Sequence, residues 1–434
     1  MATSPPPSGD RPPDFDVGIA CARRLDEADP LRTLRDLFHI PPGGDRKPMR
    51  YFCGNSLGLM PRAAREEVQR TLDQWERLAV DAHFEADPAW YSYHEIFREP
   101  GARLVGARPG EVVMMNSLTV NLHLMMVSFY RPTSRRFRIL MERNAFPSDT
   151  YAASSQLRLH GYDPGKGLVL VGGEETSVID EAEIEEVLER EGDSIALVLL
   201  PGVQFLTGQL FDLARICRAA HDKGCKIGLD LAHATGNVPL ELHRWGVDFA
   251  VWCSYKYLNS GPGALGGCFV HEKHGGDKEL PRLAGWWGND PGQRFLMHLL
   301  PEFKPVPGAE GWQLSNPPIL AAAPLRASIE IFDRVGMAAL RAKSVLLTAY
   351  LEFLLRELCD DDIALVTPAE PERRGCQLSL LLKKEARARH DALRRSGVTC
   401  DFREPDIIRV APVPLYNSFR DVHHLATALA GGKS

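Results

Sequence analysis

The chain has 434 residues, a length that predicts two domains rather than one small core. Its formal net charge of −6 is mild and spread along the chain, so the composition gives no reason to expect a nucleic acid or a membrane surface as partner. The nine cysteines form neither C-x-x-C pairs nor zinc-ligand spacing with histidine. We therefore predict free thiols in a reducing compartment and no metal site.

The first thirteen residues are rich in proline and serine. They lack the charged start and apolar stretch of a signal peptide, and no apolar run in the chain approaches the ~18 residues that a membrane span needs. We therefore expect a cytoplasmic protein that does not enter a membrane. Residues 1–45 are expected to form a flexible leader and the first helix.

Between residues 111 and 270, helical patterns alternate with short apolar runs. This alternation predicts an α/β fold with a mostly parallel sheet. The predicted helices cover residues 180–190 and 213–223, and the predicted strands cover residues 195–200, 226–230, 247–253 and 268–270.

The C-terminal part predicts a second, smaller α/β unit. A long helix over 337–358 precedes a strand over 378–382, a basic helix over 384–395 and a strand over 407–410, whereas 301–318 is rich in Pro and Gly and predicts loops. We assign residues 46–325 to a large domain and 326–434 to a small one. The first part of the large domain, about 46–80, could also pack with the small domain.

Two side chains at strand ends carry the chemistry. Asp230 ends the apolar strand in I-G-L-D-L-A-H (227–233), and a carboxylate there could hold the protonated ring nitrogen of a pyridoxal cofactor. Lys256 follows a later apolar strand in V-W-C-S-Y-K-Y, where burial favours an amine that attacks carbonyls. An aspartate that only caps a helix and a lysine that only extends to the surface are the alternatives for each alone.

Gly261, Gly263 and Gly266 match the G-x-G-x-x-G pattern of dinucleotide sites. A polar loop precedes them, an apolar run follows, and no acidic residue lies about twenty residues further on, so the context does not fit a nucleotide site. We interpret these glycines as a tight turn that lets the backbone approach Lys256.

Two further segments could hold the rest of such a cofactor. Residues 116–119 (N-S-L-T) open an apolar helix that runs to 129, and a helix N-terminus with a threonine hydroxyl can bind phosphate. Residues 146–149 (F-P-S-D) are placed in a loop after the apolar run 139–141, where an aromatic ring could stack on a planar cofactor. A simple helix cap and an ordinary turn are the alternatives.

These segments occur in one order with others. The set is Y-F-C-G-N-S-L-G (51–58), L-T-V-N-L (118–122), F-P-S-D (146–149), D-L-A-H-A (230–234), S-Y-K-Y-L-N (254–259), G-W-W-G (285–288), S-N-P-P (315–318) and R-V-A-P-V-P-L-Y-N-S-F (409–419). Over roughly 50–425 the chain resembles kynureninase, a fold-type-I pyridoxal-phosphate (PLP) hydrolase.

The resemblance implies that Lys256 holds pyridoxal 5′-phosphate as a Schiff base, that Asp230 pairs with its pyridine nitrogen and that Phe146 stacks on its ring. Tyr255 would act as general acid or base, or would only bind the phosphate. Trp286 and Asn316 would reach the site from the second subunit of a homodimer. The implied cofactor contacts are Leu118, Thr119, Phe146, Pro147, Ser148, Asp149, Asp230, His233, Tyr255, Lys256, Trp286 and Asn316.

The resemblance also implies the reaction, which is hydrolysis of the Cβ–Cγ bond of kynurenine or 3-hydroxykynurenine in tryptophan catabolism and NAD biosynthesis. Arg409 would bind the substrate α-carboxylate through two parallel hydrogen bonds, unless it only forms a structural ion pair. His83, Ser315 and Asn316 match members that prefer the 3-hydroxylated substrate, although His83 alone could be a surface residue. The implied substrate contacts are Asn55, Ser56, His83, Ser315, Asn316 and Arg409.

One position departs from the family, and two rival functions stay open. Many members have Ser or Thr where this chain has Pro201, so a hydroxyl contact to the cofactor is in doubt, and the backbone or Gln204 would replace it. A cysteine desulfurase or selenocysteine lyase would need a reactive cysteine on a mobile loop, for which Cys376 is the candidate. The other rival is a non-catalytic relative that binds a partner or a ligand.

Overall fold

The computed structural model describes residues 14–43, 47–173, 178–277, 279–359 and 361–431. The strands are β1 Arg50–Tyr51, β2 Val112–Met115, β3 Arg138–Glu142, β4 Leu168–Val171, β5 Ile195–Pro201, β6 Lys226–Asp230, β7 Phe249–Cys253, β8 Gly266–Val270, β9 Ile363–Leu365, β10 Leu378–Leu382, β11 Val398–Thr399, β12 Asp401–Arg403 and β13 Ile407–Val410. The α-helices are α1 Ile19–Ala28, α2 Ala63–Leu78, α3 Ala82–Glu85, α4 Arg98–Val105, α5 Leu118–Phe129, α6 Pro147–Leu159, α7 Pro164–Gly167, α8 Glu181–Glu191, α9 Leu213–Asp222, α10 Leu242–Trp245, α11 Glu272–Gly275, α12 Ile319–Val335, α13 Met337–Leu358, α14 Ala386–Arg395 and α15 Phe419–Leu429.

Among the described residues, the large sheet has seven strands in the order β2-β8-β7-β6-β5-β3-β4, of which β8 alone runs antiparallel to its neighbours. The strand β5 reads I-A-L-V-L-L-P and is buried on both faces, as parallel strands covered by helices are. This confirms the predicted α/β class with a mostly parallel sheet. The parallel strands β3, β5, β6 and β7 end at one edge, which is where this class of sheet binds ligands.

The small sheet is antiparallel, with the order β12-β13-β10-β9. Its apolar face packs with α13 and α15 in a separate hydrophobic core that also includes Cys21 and Ala22 of α1. The helix α12 lies across the predicted boundary at 325/326 and packs on α2 and α4 of the large domain.

The segment 46–80 contacts both domains. Its strand β1 pairs with β11, next to the small sheet, whereas its helix α2 packs on α12. The predicted leader, residues 1–13, lies outside the described residues. Within the described residues, no helix has the length and apolar character needed to cross a bilayer.

Candidate active site

A cavity of about 280 Å³ lies at the carboxyl ends of β3, β5, β6 and β7 and is closed on one side by the small domain. It brings together most of the side chains that were predicted from the sequence to bind the cofactor or the substrate. Its lining consists of Asn55, Ser56, Leu118, Thr119, Glu142, Phe146, Ser148, Asp149, Pro201, Val203, Phe205, Asp230, Ala232, His233, Tyr255, Lys256, Arg403 and Arg409.

Lys256 reaches into this cavity from the turn after β7. Its Nζ lies 3.1 Å from His233 Nε2 and 5.8 Å from the centre of the Phe146 ring. Burial, and then the positive charges of Lys256 and Arg409, hold the pKa of His233 well below its usual value. The histidine is therefore neutral at physiological pH and can accept a hydrogen bond from the lysine amine.

The loop after β1 approaches the turn that carries Lys256. The Gly58 N–H donates to Tyr255 O over 2.8 Å, and a Cβ at Gly58 would lie 2.3 Å from Lys256 O. Glycine is required here by the close approach of two backbones. The same loop places Asn55 in the cavity wall, where its Nδ2 donates to Gln377 Oε1 and its buried Oδ1 has no hydrogen-bond partner.

Three carboxyl groups line the opposite end. Asp230 is fixed at the end of β6, since its Oδ1 accepts from Ala232 N over 2.7 Å, and the Asp149 carboxyl lies within hydrogen-bonding reach of it. Burial and the nearby Asp230 charge raise the pKa of Asp149. Burial raises the pKa of Glu142 to about 8. Asp149 Oδ1 and Glu142 Oε2 are buried without a hydrogen-bond partner, so this end suits a ring with a protonated nitrogen.

The third side of the cavity is formed by two helix N-termini. The Ser117 side chain at the start of α5 makes no capping hydrogen bond, and Thr119 Oγ1 lies 3.1 Å from Ser148 Oγ in the first turn of α6. Free N–H groups and two hydroxyls suit a phosphate. The prediction of a loop for 146–149 is wrong, because Pro147 is the first residue of α6, where its missing N–H costs nothing.

Tyr255 lines the cavity beside Lys256. Burial, followed by the neighbouring Cys253, raises the pKa of its phenol. The hydroxyl therefore stays protonated at physiological pH and can donate a proton or a hydrogen bond.

Arg409 lies on β13 and is 1% exposed. Its Nε and Nη2 each donate to Asp401 Oδ2 over 2.7 Å, and its Nη1 donates to Phe205 O. The structural ion pair that was considered as the alternative role of Arg409 is thus present. It coexists with a position in the cavity wall.

Pro201 ends β5 opposite Asp230, in the cavity wall. Gln204, the expected replacement for the missing hydroxyl, is not in that wall. Its Oε1 accepts from the N–H groups of Leu206 and Thr207, and its Nε2 donates to Asn144 O. Its amide therefore stabilises the loop after β5 rather than facing the cavity.

Five of the residues predicted to bind the cofactor or the substrate do not line this cavity. Pro147 is exposed in the first turn of α6. His83 and Trp286 belong to a separate surface, here called the aromatic patch, which also holds Phe84, Tyr91, Trp287 and Phe295. Ser315 and Asn316 directly follow Leu314 in the chain. The His83 ring lies 6.0 Å from that of Trp90, and Trp287 connects the patch to Leu314 by a 3.5 Å backbone hydrogen bond. Phe84 is 64% exposed and Phe295 59%.

Several residues of the cavity wall were not predicted from the sequence: Glu142, Val203, Phe205, Ala232 and Arg403. Only Glu142 has a local signal, since it is the charged residue at the end of an apolar strand, as Asp230 is. Arg403 shares Asp401 with Arg409, its Nε donating to Asp401 Oδ2 over 2.9 Å, and nothing in the local pattern indicates this contact.

The one cysteine proposed for a desulfurase is buried rather than mobile. Cys376 is 1% exposed, its N–H donates to Asn237 Oδ1, and burial raises the pKa of its thiol to about 12. A thiol of this kind is a poor nucleophile.

Residues 51–289 match the Aminotransferase class-V family and residues 340–429 match the Kynureninase C-terminal domain. The chain is 56% identical to a kynureninase of Myxococcus xanthus over 96% of this chain and 98% of that protein, and 57% identical to one of Xanthomonas oryzae over 93% and 96%. A cysteine desulfurase structure from Escherichia coli shares the fold, with a TM-score of 0.73 at 17% identity over 92% of this chain and 97% of that one. The chain therefore belongs to the kynureninase family of pyridoxal-phosphate hydrolases.

Proposed function

We propose that this chain hydrolyses 3-hydroxykynurenine in preference to kynurenine, giving 3-hydroxyanthranilate and L-alanine with one water consumed. Membership of the kynureninase family supports cleavage of kynurenine. The preference for the 3-hydroxylated substrate is an additional inference. The observation that carries the cleavage reaction is that one cavity holds the Lys256 amine, the Asp149 and Asp230 carboxyls and the Arg409 guanidinium. We place the reaction in tryptophan catabolism and NAD biosynthesis.

The cavity fits pyridoxal phosphate on its own chemistry. Buried carboxyl oxygens without partners suit the ring nitrogen, the N-termini of α5 and α6 suit the phosphate, and the half-exposed Phe146 ring suits a stacked pyridine. When bound, this cofactor supplies an electron sink for the charge that develops at the substrate α-carbon. Lys256, Asp230, Phe146, Thr119 and Ser148 would hold it.

The side chains of the cavity transfer the protons and orient the substrate. Lys256 Nζ takes the proton from the substrate α-carbon, and the neutral His233 at 3.1 Å keeps a second positive charge away from that amine. Tyr255, with its protonated phenol, donates a proton near the bond that breaks. Arg409 orients the substrate by its α-carboxylate.

We propose that the active form is a homodimer in which the aromatic patch of one subunit completes the cavity of the other. His83 and Trp286 lie in that patch, Ser315 and Asn316 follow Leu314, which accepts a backbone hydrogen bond from Trp287, and none of the four lines the cavity of its own chain. Phe146 of the cavity wall, Val120 in the first turn of α5 and Tyr151 in α6 are 42%, 45% and 72% exposed, and exposed apolar side chains of this kind suit a surface that a second subunit covers.

The 3-hydroxy preference rests on the imidazole of that patch and on the polar side chains that follow Leu314. An imidazole, a hydroxyl and an amide brought to the aryl end of the cavity could bond a substrate hydroxyl, and a site built this way rejects an analogue that lacks it. The side chains concerned are His83, Ser315 and Asn316.

The test is turnover of the PLP-loaded protein on both substrates, followed by anthranilate or 3-hydroxyanthranilate fluorescence. We expect kcat/KM to be at least about tenfold higher for 3-hydroxykynurenine. A higher value for kynurenine contradicts the preference. Sulfide release from cysteine without alanine release from either substrate would support a desulfurase, and absence of both activities a non-catalytic relative.

A further inference from the structure

The arginine assigned to the substrate carboxylate is already engaged by an acid. Asp401 lies directly opposite Arg409 in the β12–β13 ladder, and its Oδ2 accepts from Arg409 Nε and Nη2. A guanidinium has five N–H groups. Within the described residues, Asp401 and Phe205 O use three of them, which leaves one N–H on each terminal nitrogen for an incoming carboxylate.

Charge is the difficulty with this arrangement. Arg409 and Asp401 together are neutral, and burial makes a neutral pair a poor attractor for a second carboxylate. The far end of the same cavity carries the Asp230 carboxyl, whose negative charge would repel the substrate's carboxylate rather than attract it.

Arg403 supplies the missing charge. It lies two residues after Asp401 on β12, so both side chains project from the same face of the strand, and it lines the cavity. Its Nε donates to the same Asp401 Oδ2 over 2.9 Å. One carboxylate therefore neutralises one of two guanidinium groups, and the cluster keeps a net positive charge.

We propose that Arg403 is a positioning residue for the substrate carboxylate. It occupies Asp401 and so leaves the two remaining N–H groups of Arg409 in a positive environment. This inference rests on the proposed function, because it assumes that Arg409 binds a substrate carboxylate.

The first measurement is steady-state turnover of 3-hydroxykynurenine by the holoenzyme. Arg403→Gln should raise KM about tenfold while kcat stays within about twofold, since it weakens an electrostatic attraction made equally in ground and transition states. The Kd for PLP should not change. Arg356→Gln, which removes an arginine with a 70% exposed side chain on α13, is the matched control and should leave KM unchanged.

A second variant separates charge from simple scaffolding. Asp401→Asn combined with Arg403→Gln restores the net positive charge, and we expect KM to return to within about threefold of the original value. A decarboxylated substrate analogue should inhibit Arg403→Gln and the unaltered enzyme with equal Ki, because it lacks the group that the charge attracts.

Three results would each overturn the role of Arg403. They are an unchanged KM in Arg403→Gln, no recovery of KM in the double variant, and an equal loss of affinity for the decarboxylated analogue. If the unaltered enzyme turns over neither kynurenine nor its 3-hydroxy form, the proposed function fails instead.

Discussion

Lys256 is the side chain on which the proposed chemistry depends most directly. Replacing it with alanine should remove the yellow absorbance expected of a cofactor bound to this lysine and lower turnover by at least about a thousandfold, because Lys256 is the one lysine among the described residues of the cavity wall. Lys256→Arg keeps the positive charge but not the nucleophilic amine, and we expect the same loss. Absorbance spectra and product formation check both variants, with circular dichroism to confirm folding. Turnover near the original level in Lys256→Ala would end the proposal.

Glu142 gives a prediction that does not depend on activity. Its pKa is raised to about 8 in the folded chain from an ordinary 4.5, chiefly by burial at the end of β3. As pH rises from about 4.5 to about 8, the unfolded chain releases this proton and the folded chain keeps it, so the group's contribution to stability is lost over that window.

Glu142→Gln cannot ionise, so the cofactor-free variant should lose less stability as pH rises. We expect it to melt roughly 2–5 °C above the unaltered protein at pH 8, with the gap narrowing toward pH 5. Glu186→Gln, which replaces an exposed glutamate on α8, should show no such gain. Identical melting of Glu142→Gln and the unaltered protein at pH 8 would show that the Glu142 carboxyl ionises normally.

At the scale of the elements, segments with strong local signals were predicted well. The strands β6, β10 and β13 and the helix α13 have the predicted bounds, since each is a run with a clear apolar pattern bounded on at least one side by a charged residue or glycine. The strand predicted for 268–270 begins earlier, at Gly266, because Gly266 and Gly267 pair with Met115 and Met114 of β2. Glycine there resembles a turn locally, and only the partner strand makes it extended.

What could not be predicted depends on contacts between distant parts of the chain. β1 and β11 are two residues each and carry no periodicity, yet they pair across 348 positions, from Arg50 to Val398. The candidate site also depends in part on contacts between distant parts of the chain. Asp230 and Lys256 were found because each lies at or just after the end of a strand, whereas Arg403 lines the cavity only because the small domain docks on the loop after β5, where Phe205 O accepts from Arg409 Nη1.

At the scale of the whole molecule, the selected site residues fall into two groups that one chain does not bring together. Lys256 and its neighbours line the cavity, whereas His83 and Trp286 lie in the aromatic patch and Ser315 and Asn316 follow Leu314, the backbone partner of Trp287 in that patch. The proposed two-fold symmetric dimer would bring the two groups together, because its interface contacts are reciprocal and one patch can serve the other subunit's cavity. We expect light scattering to give twice the mass of the chain.

Active-site complementation tests this arrangement more sharply than mass does. Lys256→Ala lacks the amine but keeps the patch, and His83→Ala combined with Asn316→Ala lacks the patch groups but keeps the amine. Each should be nearly inactive alone. After random exchange of subunits, half of the dimers are mixed, and each mixed dimer has one complete site out of two if the patch acts in the partner, so about a quarter of the original activity should return. If each subunit built its site from its own patch, every site in a mixed dimer would still carry a defect and no activity would return. Recovery near zero, with exchange confirmed by differently tagged subunits, would therefore rule out a shared site.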